Sequence, residues 1–172
     1  MKKTFLSDRL SWLIVISLVS LSISHSKADA VTDWNKWAGN IVVDAEIGPL
    51  PAERVLAIVQ AAVYESVNAI TRRYATSDIE SLPPKPDASI EAAIAEANRV
   101  TLMQLAPNQQ ASIEKTYQAA ISAISEGSAK RAGIELGAKV AQAILVKRTQ
   151  DGAADEESYR PNTSAGVYIP TV

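Results

Sequence analysis

The chain has no cysteine, and its single histidine is His25. Without thiols there can be no disulfide, no thiolate nucleophile and no cysteine-bound metal, so packing alone must hold the fold. If the first thirty residues are a leader, the remainder also lacks imidazole. That excludes a Ser-His-Asp triad, a histidine general base and an ordinary zinc site. Aromatic residues make up 5% of the chain, and its one phenylalanine is Phe5. Glycine-rich phosphate loops are missing as well. So is any concentrated basic face. The chain carries 17 basic and 19 acidic residues. Residues 1–30 contain four of the basic ones (Lys2, Lys3, Arg9, Lys27) and two of the acidic (Asp8, Asp29), leaving 13 against 17, a net charge of −4. Such a balance argues against a sequence-independent nucleic-acid binder. Arg72-Arg73, Lys130-Arg131 and Lys147-Arg148 are isolated pairs near expected helix ends and read as solvated charges.

What is present begins with an export signal. Lys2, Lys3 and Arg9 precede an uncharged apolar run over residues 10–23. The run has the length of a secretory h-region and falls short of the roughly twenty residues of a membrane span. Ala28-Asp29-Ala30 offers small residues at the two positions a signal peptidase reads. We therefore expect a signal peptide over 1–30, cleavage after Ala30 and a periplasmic or secreted product with no membrane span. An uncleaved anchor is the alternative.

The rest is patterned for helix almost throughout, which predicts an all-α bundle of about four long helices plus a short N-terminal one. The helical domain is expected over 31–152, with a loop-like tail over 153–172. Trp34, Trp37 and Ile41 mark a short amphipathic stretch over 33–44. Pro51 suits the first turn of a helix over 52–74, with Val55, Val59, Ala62, Val63, Val67, Ile70 and Tyr74 inward. Prolines 83, 84 and 86 make residues 81–86 an extended connector. Asp87 or Ser89 can cap a helix over 88–106, with Ile90, Ala93, Ile94, Ala97, Val100 and Leu105 inward. Asn108 can cap another over 109–126, with Ile113, Tyr117, Ala120, Ile121 and Ile124 inward. Gly127 suits a left-handed residue after it. The last helix, over 128–148, carries Gly133, Gly137, Val140, Ala141, Ile144 and Leu145, and Asp151-Gly152 stops it. Alanine fills many inward positions and contributes well under half of the ~1.5–3 kcal/mol of a larger aliphatic side chain. These helices are thus expected to gain stability against a second domain or a second copy of the chain.

Candidate sites are few. Asp151, Asp155, Glu156 and Glu157 lie together without the alternating spacing of a calcium loop. Asn162-Thr163-Ser164 satisfies a glycosylation pattern. Glu65 and Asn68 are three apart, suited either to a polar cleft or to a hydrogen-bonded pair that fixes helix packing. Trp34 and Trp37 suit stacking on a ligand or closure of the bundle end.

Several stretches carry a resemblance. Trp34-Asn35, the run AERVLA (52–57) leading into VQAAVYESVNAI (59–70), the alanine-rich SIEAAIAEANRVTLMQLAP (89–107), Gly133 to Gly137 and VAQAILVKRTQDG (140–152) come in that order. Together they resemble bacterial vanadium-dependent haloperoxidases of the type 2 phosphatidic acid phosphatase superfamily. Gln60 departs from the pattern, standing where relatives have histidine, and Glu65 replaces an aspartate. The resemblance implies vanadate, or a transferable phosphate, held by Lys, Arg, Ser and Gly donors with two histidines. Those motifs are missing here. Arg160-Pro161 has Ala153, not lysine, seven residues earlier, and there is no Ser-Gly-His. No catalytic, cofactor-binding or metal residue carries over, and vanadate is implied only for a full-length relative. The expected partner is a missing C-terminal catalytic half or a second copy, since the apolar ending GVYIPTV at Val172 looks like a chain interrupted. A stand-alone exported helical binding or scaffold module is the alternative.

Overall fold

The structure, a computed structural model, describes residues 30–75 and 85–156, together with 158, 160, 162 and 164–168. The leader over 1–29 with His25, connector residues 81–84, and Glu157, Thr163 and residues 169–172 of the tail lie outside the described residues. Five α-helices and one short 3-10 turn are formed, with no strand among the described residues. The helices are α1 (Ala30–Asp44), α2 (Pro49–Thr71), α3 (Ile90–Leu105), α4 (Gln110–Ser122) and α5 (Ser128–Lys147), with the 3-10 turn Pro107–Gln109 between α3 and α4. The all-α expectation is met. The N-terminal helix is not the short one, however, since α1 has 15 residues and α4 has 13.

Helix α3 is the centre of the bundle and touches each of the other four helices. Its sequence has the spacing of an amphipathic stripe, yet residues 92–98 are buried without interruption. Alanine makes this possible, because a helix walled by methyl groups can be approached from every side. The closest approach is to α5. A Cβ placed on Gly137 would lie 2.5 Å from the Ala93 carbonyl oxygen and 3.1 Å from the Glu96 Cβ. On Gly133 it would collide with the Ser89 carbonyl oxygen and lie 2.9 Å from the Ala92 Cβ. The Ser89 N–H donates to the Ala129 carbonyl at 2.9 Å, tying the cap of α3 to the first turn of α5. The glycine ridge of α5 thus has its counterpart within the chain.

Helix ends account for most departures from the expected boundaries. Helix α2 starts two residues before Pro51, because Pro49 already occupies the first turn, where a missing N–H costs nothing. It ends at Thr71, where Arg72 adopts φ 50° and donates its N–H to the Asn68 carbonyl. The Asn68 side chain then accepts from the Tyr74 N–H at 3.0 Å and donates to the carbonyls of Tyr74 and Ala75. This turn swings Tyr74 out of the expected core, leaving it 60% exposed against Tyr64, with ring centroids 6.0 Å apart.

Ser89 rather than Asp87 caps α3, accepting from the Ala92 N–H at 3.1 Å. Asn108 does not cap α4. Its amide donates to the Ala45 carbonyl, and the Gln109 amide donates to the Asp44 carbonyl, so both close the open end of α1. Helix α4 stops at Ser122, four residues short of expectation. Lys130 explains the stop. Its buried ammonium donates to the Ile124 carbonyl and the Glu126 carboxylate, holding the chain in a turn. Gly127 is extended (φ 158°, ψ −176°) rather than left-handed.

Candidate functional site

The stretches singled out in the sequence meet at two places. Arg54, in the second turn of α2, donates through Nε to Asp151 Oδ2 at 2.9 Å and through NH2 to Asp151 Oδ1 at 3.1 Å. The same NH2 donates to the Arg148 carbonyl at 2.9 Å. This fork draws the chain beyond α5 back onto α2 and forms one wall of a cleft of about 490 Å³. The cleft's floor is apolar (Ile58, Leu105, Leu145), and Gln104 and Gln142 add polar groups. Six residues further along α2, the Gln60 amide donates to Asn35 Oδ1 at 3.0 Å, linking α2 to α1.

The Arg54 hydrogen bonds hold the Asp151 carboxyl below its ordinary value of 3.8, against a smaller opposing effect of desolvation. A lowered folded-state value means the tie is fully formed above the ordinary value and is lost as pH falls through the folded one. The Asp151 carboxyl resonance is therefore expected to titrate with a midpoint below 3.8 and to move upward in Arg54→Ala. An unchanged midpoint would show that the fork does not form in solution.

A second cluster carries the buried charge, and the sequence reading missed it. Glu96 of α3 is 2% exposed, and both of its oxygens accept from Arg99, at 3.0 Å (Nε) and 2.5 Å (NH2). The Arg99 guanidinium lies 4.8 Å from the Tyr117 ring centroid and 3.8 Å from Glu114, both on α4. Burial, then hydrogen bonding to Glu96, pushes the Tyr117 hydroxyl far above its ordinary range. Arg99 is held in its charged form chiefly by its bonds to Glu96. The arrangement fastens α4 to α3. Its only sequence signal was an i,i+3 acid–base pair inside an alanine run, a spacing shared with ordinary surface pairs.

The other candidates are separated. No hydrogen bond joins Glu65 to Asn68, because the Asn68 side chain closes the exit of α2. Trp34 and Trp37 form an edge-to-face pair with centroids 5.1 Å apart, Trp34 buried and Trp37 partly so. Among the described residues, no three His, Cys, Asp or Glu side chains come together as metal ligands. Likewise, no described helix is long and apolar enough to cross a membrane. Compared with known proteins, the chain matches no family model, no curated protein and no solved structure.

Proposed function

We propose that this chain is the non-catalytic helical portion of an exported protein resembling haloperoxidases or acid phosphatases of the type 2 phosphatidic acid phosphatase superfamily. On this reading, residues 1–30 are its signal peptide. The observation that carries it is the way the resembling stretches pair with one another. Arg54 from 52–57 meets Asp151 and Arg148 from 140–152, Asn35 meets Gln60 from 59–70, and Gly133 and Gly137 rest on the alanine-rich 89–107. Gln60, which stands where relatives have histidine, donates a bond that a neutral imidazole N–H can also make. Each stretch therefore has a scaffolding task.

Arg54, Arg99 and Lys130 each already bind a carboxylate of this chain and so are not free oxyanion donors. On this reading, the oxyanion site of a complete protein belongs to the other half. Intact mass of the native exported protein tests the proposal. A species at least twice the 18.4 kDa of this chain, containing its peptides, is the expected result. A species of about 15 kDa, the size left by leader removal, would overturn it in favour of a stand-alone binding module. Purified chain is expected to give no bromide oxidation or phosphate-ester hydrolysis above blank, with or without vanadate, and measurable turnover would refute the non-catalytic assignment.

A further inference from the structure

Helix α4 is the least embedded of the five. Two of its 13 residues, Ile113 and Tyr117, are buried, against nine of 16 in α3 and eight of 20 in α5. Both of its flanks, however, are pinned to other elements. Before it, the Asn108 and Gln109 amides donate to the carbonyls that end α1. After it, the buried Lys130 ammonium holds the Ile124 carbonyl and the Glu126 carboxylate, and the Ser89 N–H ties Ala129 to the cap of α3. Beneath the helix lies Glu96, a buried carboxylate held by Arg99 and by the Tyr117 hydroxyl. Lifting α4 gives up two buried anchors but returns a charged pair to water, which offsets part of the loss. From this placement we infer that α4 is a flap: it opens as one unit between its pinned flanks, uncovering Glu96 and Arg99 of α3, while the other four helices stay packed. A helix of this length has little stability alone, so the opened segment also gives up its backbone hydrogen bonds.

Amide hydrogen exchange on the full chain, followed residue by residue at neutral pH, tests this. Amides bonded within α4 should share one level of protection, about a hundredfold below that of the slowest amides of α3 and α5. Moderate urea should speed the slow amides and leave those of α4 nearly unmoved, because lifting one helix exposes little surface. Val140→Ala separates the flap from unfolding of the whole chain. Val140 is buried in the core that α5 shares with α3, so its truncation weakens the closed and the flap-open forms alike. The slow amides should then exchange at least about tenfold faster, while those of α4 change by less than about twofold. Protection in α4 equal to that in α3 and α5, a rise in step with theirs in Val140→Ala, or protection that merely falls off from the ends of α4 would each overturn the assignment.

Discussion

Arg99→Ala is expected to destabilise the fold by about 3 kcal/mol, read as a shift in the urea midpoint at neutral pH. The loss follows from what stays behind. Glu96 lies almost wholly inside the bundle, and Arg99 donates to both oxygens of its carboxylate. Removing one member of a buried pair leaves an uncompensated charge, at a cost of about 3–5 kcal/mol. We place the expectation at the lower end because the Arg99 side chain is 29% exposed and water can reach part of the gap. Arg99→Lys should recover part of the loss, since an ammonium keeps the charge without the fork that reaches both oxygens. A loss under about 1 kcal/mol for the alanine variant would put the pair among ordinary surface contacts.

The second large effect belongs to the glycine ridge. Gly133→Ala and Gly137→Ala are each expected to cost about 2 kcal/mol, although alanine is the better helix former by about 1 kcal/mol. At both positions the added carbon meets backbone of α3, which cannot rotate aside as a long side chain can. Gly39 provides the control. It lies inside α1, and a Cβ there meets nothing within 4 Å. Gly39→Ala should therefore stabilise by about 0.5–1 kcal/mol. Thermal melts of the three variants test the contrast. Stabilisation by all three would mean that α3 and α5 lie further apart than described.

Helix existence was legible because proline and glycine punctuate this chain sharply and apolar spacing is regular between them. The expected bounds of α5, 128–148, differ from those found by one residue. Other ends were illegible because they are set by partners distant in sequence. Asn108 has the composition of a cap, but the free carbonyls of α1 compete for its amide. Tyr74 continues the stripe of α2, but Asn68 and the left-handed Arg72 end the helix first. The charged cluster was hidden for a related reason. Nothing local distinguishes Glu96 from an exposed acid, and its burial follows from α3 having neighbours on every side. The Arg54–Asp151 fork spans 97 positions, beyond the reach of any spacing rule.

The enclosed middle of α3 also bears on how this chain can change over time. A helix with one wet face drifts freely there and keeps a periodic imprint of its core. Residues 92–98 have no such face, so a larger side chain at almost any of them displaces a neighbouring helix, and accommodation needs a matching reduction across the contact. Divergence should therefore spare AAIAEAN as an unbroken word while the amphipathic helices around it are rewritten. Distant kin would be recognised first by that short run and by the two glycines that make room for it.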